Sequence, residues 1–196
     1  MDLQNEFIEY VKAECKANGI RFILRDVKYL QPTRKIKCSG YFDEESKSLV
    51  VATKSSQWFE ILVHEFAHLT QWKDQCTVWK EGGLGLAKMN NWLEGKQVRG
   101  IKQALAKVRD LELDNEKRSV RIIKKWNLPV DLKLYIQKAN AYILFYNWMY
   151  YTRRWCSPKN SPIKNPAVYS KMPTTFRIDY TKLSNKHYKV FEAAGV

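Results

Sequence analysis

The stretch that most constrains this chain is Ile61-Leu62-Val63-His64-Glu65-Phe66-Ala67-His68-Leu69-Thr70. It sets three titratable side chains into an otherwise apolar run. A buried helix face carrying two imidazoles and a carboxylate is costly unless those groups are paired or bound to something. His64 and His68 are four residues apart, which on an α-helix puts them on one face with Cβ atoms roughly 5–6 Å apart. Two neutral imidazoles at that spacing can chelate one Zn²⁺, each at about 2.0–2.1 Å. Glu65 then points to the side of the metal, where it can take a proton from an activated water. The competing reading is two structural histidines satisfied by hydrogen bonds, and short patterns of this kind also arise by chance.

Length and composition bound the rest. At 196 residues, with 45% apolar and 13% aromatic residues, the chain is expected to form one domain with a sizeable core. The formal net charge of +14 favours a polyanionic partner, nucleic acid among them. A generally basic surface is the plain alternative, because no compact Arg/Lys block stands out. Cys15, Cys38, Cys76 and Cys156 are far apart and form no C-x-x-C pair, which argues against a zinc ribbon. The N-terminus lacks the regions of a signal peptide, and no run approaches the roughly 20 apolar residues of a membrane span. A reducing, cytoplasmic protein with free thiols and no membrane partner is expected.

Along the chain, Leu3, Phe7, Ile8, Val11 and Cys15 predict a helix over 3–18, closed by Asn18-Gly19. Strands are expected from Ile20, over Ile36–Phe42 with a bulge at Ser39-Gly40, and over Ser48–Thr53. Ser55 or Ser56 should cap a motif helix spanning about 57–73. Gly82, Gly83, Gly85, Gly95 and Gly100 suggest a loop over 76–100, with a short helical piece near Ala87–Leu93. Long helices follow over 101–126 and 130–155. The Pro-containing segment 157–196 reads as an extended C-terminal arm. The expected fold class is α+β: a small antiparallel or mixed sheet packed on a mainly helical core, with residues 1–156 as the domain.

A catalytic zinc site needs three protein ligands and one open position. Asp74 stands where metzincin-type proteases place a third ligand, but Gln71 replaces the glycine at which such chains turn. A helix continuing past Gln71 would carry Asp74 about 15 Å along the axis from His64. The stronger candidate is Glu112 on the 101–126 helix, with Glu116 one turn on as an alternative ligand or as the group that orients a ligand. Glu81 and Glu94 are weaker options. Solvated helix-face pairing is the bland explanation of this acidic segment.

This pairing of His-Glu-x-x-His with Glu112 and Glu116 resembles the gluzincin metallopeptidases, which carry Glu-x-x-x-Asp on a second helix. Membrane-type peptidases with an E-x-x-A-D motif, thermolysin-like enzymes and small ImmA/IrrE-like peptidases are similar at this point. Here Glu116 stands for the usual Asp and Asn115 for the usual Ala. The region from Glu112 to Cys156 also resembles uncharacterised bacteriophage-encoded proteins assigned at most to the metallopeptidases. With the motif helix, the resemblance spans residues 45–156. It implies a zincin-like domain, a zinc cofactor, a protein or peptide substrate, host cytoplasm for a phage-encoded chain, and an edge strand beside the motif helix that pairs with extended substrate. Leu49–Thr53 is the expected edge strand.

The chemistry expected is peptide-bond hydrolysis by a zinc-activated water, with His64, His68 and Glu112 as metal ligands and Glu65 as general base. Tyr135, Tyr142, Tyr146, Tyr150, Tyr151, Arg153 and Arg154 are all possible donors to the oxyanion. Two other readings stand beside it. Lys124-Lys125-Trp126 and Arg153-Arg154-Trp155 combine cations with stacking surfaces and suit a basic nucleic-acid-associated protein. Basic zincins of the SprT-like type cleave proteins on DNA, but they usually use a third histidine, and here only His187 remains. A zincin-like fold that binds metal and cuts nothing is the last alternative.

Overall fold

The computed structural model describes residues 2–32, 37–157 and 160–196. The fold class is α+β, a small mixed three-stranded sheet with a mainly helical remainder. Two compact units divide the chain: Met1–Gln75 with Arg118–Val130, and Cys76–Lys117 with Asp131–Val196.

The first unit begins with α1 (Leu3–Ala17), whose Asp2 side chain accepts from the Gln4 backbone N–H at 3.2 Å. Phe7, Val11 and Cys15, one turn apart, form its buried stripe. Gly19 at φ 70° ends the helix in the left-handed region and turns the chain into β1 (Arg21–Arg25). β2 (Gly40–Asp43) and β3 (Ser48–Ala52) complete a sheet of order β1-β3-β2. β3 runs parallel to β1 and antiparallel to β2, with Arg21 opposite Ser48 and Gly40 opposite Val51.

The expected edge strand is therefore the central one. All five residues of β3 are buried, and both of its edges are taken. A continuous apolar run is what a strand covered on both faces looks like. β2 also begins later than expected, at Gly40, which is a regular pair of Val51 rather than a bulge. Ile36 falls outside the described residues. Cys38 makes an isolated antiparallel bridge with Leu30.

Helix α2 (Trp58–Lys73) packs on β2 and β3. Neither serine caps it through its side chain. The N-cap is Gln57, and Ser55 supplies only its carbonyl, which accepts from Trp58 N at 3.1 Å. Phe7 meets Phe59, Phe66 and Trp126 edge-on, with ring centroids 6.0, 5.8 and 5.6 Å away. This aromatic cluster fixes α1 against the motif helix.

The second unit holds α3 (Thr77–Leu93), α5 (Leu132–Thr152), α6 (Pro166–Tyr169) and α7 (Asn185–Ala193). Helix α4 (Ile101–Lys125) gives residues 101–117 to this unit and 118–125 to the first. The loop expected over 76–100 is largely α3. Gly82 and Gly85 are packing positions: a Cβ on Gly82 would lie 2.5 Å from Leu111 Cδ2, and one on Gly85 would lie 2.7 Å from the Ala104 carbonyl oxygen. Glycine there lets α3 approach α4 closely enough to outweigh its poor helix propensity.

Helix α5 starts at Asp131, whose side chain accepts from Lys133 N and Leu134 N at 2.9 and 3.1 Å. It is buried on most of its circumference. The segment 157–196, expected as an extended arm, carries α6 and α7 and places Val168, Met172, Tyr180 and Phe191 in one apolar cluster with α5. Polar groups of α5 secure it. Asn140 Nδ2 donates to the carbonyls of Pro173 and Thr175 at 2.7 and 3.0 Å, and Asn147 Nδ2 to that of Tyr180 at 2.9 Å. No helix among the described residues is long and apolar enough to cross a membrane.

Candidate metal centre

Burial of Phe59, Leu62, Val63, Phe66, Ala67 and Leu69 fixes the rotation of α2 about its axis. His64 and His68 remain half-buried on one face, with ring centroids 4.8 Å apart and planes 84° to each other. Their i,i+4 spacing does what the sequence implies.

His68 is further oriented by Gln71, whose Oε1 lies 2.8 Å from His68 Nδ1. An amide oxygen can only accept, so Nδ1 carries the proton and donates it. Nε2 is then the ring nitrogen with the lone pair. Gln71 is fully buried. In the sequence it had weight only as the residue standing in place of a glycine. Its position three residues past His68, on the same helix face, was the signal for this second role.

Glu65 is buried on the side of α2 that faces β2. A Cβ on Gly40 would lie 2.5 Å from Ile61 Cγ2, 3.0 Å from Glu65 Cγ and 3.2 Å from Glu65 Oε1. Only a glycine lets the β2 backbone come this close to the carboxylate. The neighbourhood registers the charge. Burial first, and Glu65 second, push the Cys38 thiol up to about 11, against the lowering effect of the Gly40 backbone N–H.

On α4, Glu112 and Glu116 are both buried. Tyr135 Oη donates to Glu116 Oε2 at 2.6 Å. The hydroxyls of Tyr142 and Tyr146 are 2.9 Å apart. Burial, then the charge of Glu112, hold both phenols protonated well above their usual range. Tyr150 and Tyr151 are exposed, and Arg153 is spent elsewhere, donating to the carbonyls of Trp92 and Lys96 at 2.9 Å each.

The minor candidates lie apart from this chemistry. Helix α2 runs through Gln71 without the turn an Asp74 ligand would need, and Asp74 caps its C-terminus in an ion pair with Arg118. Exposed Glu81 and Glu94 pair with Lys107 and Lys96 at 3.9 and 3.4 Å. His64 and His68 belong to the first unit, and Glu112 to the second. Compared with protein-family models, with curated proteins and with solved structures, the chain matches none.

Proposed function

We propose that the chain is a zinc-dependent metallopeptidase, with His64, His68 and Glu112 as metal ligands and Glu65 as general base. The observation that carries this reading is the pair of half-buried imidazoles one turn apart on α2, with ring centroids 4.8 Å apart and one ring oriented by Gln71. The donor set suits zinc: two imidazoles and one carboxylate, with an open position left for substrate or water. The proton on His68 Nδ1, kept there by Gln71, puts the lone pair used for coordination on Nε2.

Bound there, the metal supplies a Lewis acid that polarises the scissile carbonyl and lowers the pKa of water toward about 7. Glu65 takes the proton of the attacking water and returns it to the leaving amine. Glu116, already accepting from Tyr135, serves as an orienting group in preference to a ligand. The protonated Tyr142 and Tyr146 hydroxyls are the tyrosine donors nearest in character to what an oxyanion requires. β2, an edge strand packed against α2, takes over the substrate-pairing role expected of Leu49–Thr53. Four free thiols support a reducing compartment, the cytoplasm, or the host cytoplasm for a phage-encoded chain.

The nucleic-acid reading rests on charge. Of its two aromatic platforms, Trp126 packs on Phe7 and Tyr10, while Trp155 touches Phe145 and Tyr146 and stays 47% exposed. The test of the enzyme is Glu65→Gln. It should keep its zinc and lose about 10²–10⁴-fold in peptide hydrolysis. Unchanged hydrolysis would sink Glu65 as the base, and a wild type that binds zinc but cleaves no peptide would leave a non-catalytic metal-binding fold.

A further inference from the structure

We infer that the outer edge of β1 is a docking strand for an extended acidic peptide with the pattern acidic–x–apolar–x–acidic. This surface belongs wholly to the first unit and is separate from the metal centre. The sheet order β1-β3-β2 leaves β1 with one neighbour. Arg21 N donates to the Lys47 carbonyl, and the Arg25 carbonyl accepts from Thr53 N, each at 2.8 Å. In a parallel pair the residues that bond inward alternate with those that bond outward. Arg21, Ile23 and Arg25 therefore spend their backbone groups on β3. Phe22 and Leu24 turn theirs to the outer edge, where a further strand can pair with them.

The side chains alternate as well. Arg21, Ile23 and Arg25 share one face, and together with Leu30, Tyr41 and Val50 they line a groove of about 330 Å³. Its floor is apolar: Ile23, Leu30, Tyr41 and Val50 belong to one packed cluster. Its two ends are cationic. Neither arginine forms an ion pair with a described residue. Arg21 Nη2 donates to the Ser46 carbonyl at 3.2 Å, while the Arg25 guanidinium has no hydrogen bond among the described residues.

Charge complementarity names the occupant. Residues on the same face of adjacent strands stand opposite one another at about 4.5–5.5 Å. A strand added to β1 sets three alternate side chains against Arg21, Ile23 and Arg25, so the matching chemistry is acid, apolar group, acid. Nucleic acid fits less well. The arginines are about 13 Å apart along the strand with an apolar residue between them. A phosphate backbone offers no donors to the outward carbonyls and carries charge at every nucleotide.

The test uses a fluorescein-labelled peptide containing Glu-Thr-Leu-Thr-Glu between Gly-Ser flanks, titrated by anisotropy against the Glu65→Gln chain so that the probe stays intact. Saturable binding is expected. Arg21→Glu with Arg25→Glu should weaken it roughly tenfold or more, since two attractive pairs become repulsive. A peptide with lysines in place of its glutamates should recover binding to that double variant. Methylating alternate amide nitrogens of the peptide, tried in both possible sets, should abolish binding for at least one set. The proposal is overturned by no saturable binding, by equal affinity for the charge-reversed chain, by indifference to both methylation sets, or by a single-stranded oligonucleotide that displaces the peptide and requires the same arginines.

Discussion

Gln71 Oε1 accepts from His68 Nδ1 at 2.8 Å, which fixes the tautomer and the ring plane of one of the two helix-borne imidazoles. Both residues sit on α2, and Gln71 is fully buried, so the orientation is set by the same packing that holds the helix. Residues that orient a metal-ligating histidine typically contribute about 10- to 100-fold in metal affinity. Gln71→Leu should accordingly weaken zinc binding by about that factor, read by competition with a chelator on protein whose circular dichroism shows it folded. Unchanged zinc affinity in the folded variant would reduce Gln71 to a packing residue.

The glycines of α3 make opposite predictions within one turn. Alanine is favoured over glycine inside a helix by about 1 kcal/mol. At Gly82 the added Cβ would meet Leu111 Cδ2 at 2.5 Å and Leu111 Cβ at 2.7 Å, contacts that real Cβ atoms do not make. Overpacking of this kind costs about 1–3 kcal/mol, which exceeds the propensity gain, so Gly82→Ala should destabilise. Gly83 has nothing within 4 Å of its added Cβ, so Gly83→Ala should stabilise by about 0.5–1 kcal/mol. Urea denaturation of the two variants checks both signs.

Cys38 reports on Glu65. With its thiol pushed up to about 11, little of it is thiolate at pH 8, and alkylation there should be slow. Its rate should keep rising about tenfold per pH unit through pH 10, instead of levelling off near 9 as an ordinary thiol does. Part of that shift comes from the Glu65 charge, so Glu65→Gln should lower the thiol pKa and speed alkylation at pH 8. Mass spectrometry of the modified peptide gives the rate. A profile at Cys38 that ignores Glu65→Gln would mean the carboxylate is not charged beside it.

Local spacing carried much of the architecture into the sequence. The stripe Phe7, Val11, Cys15 marks α1, and the apolar neighbours of His64 and His68 mark α2. What stayed hidden was decided by partners distant in the chain. Gly82 and Gly85 read as loop residues until Leu111 and Ala104 are set against them. Val168 and Phe191 look like parts of a loose arm until α5 covers them. Strand order is of the same kind: five apolar residues at 48–52 cannot say whether one neighbour or two will flank them, and here there are two. In the candidate site, His64, Glu65 and His68 are legible because helical geometry alone relates them. Glu112 and Glu116 share a helix face, and spacing cannot separate them. The hydrogen bond from Tyr135 to Glu116 is what distinguishes their surroundings.

The central claim is that His64, His68 and Glu112 hold a metal, and elemental analysis after dialysis against trace zinc tests it most directly. About one zinc per folded chain is expected in the wild type and in Glu65→Gln, with marked loss in His64→Ala, His68→Ala and Glu112→Ala. A folded wild-type chain that takes up no zinc, or a Glu112→Ala chain that holds it as tightly as the wild type, would contradict the account.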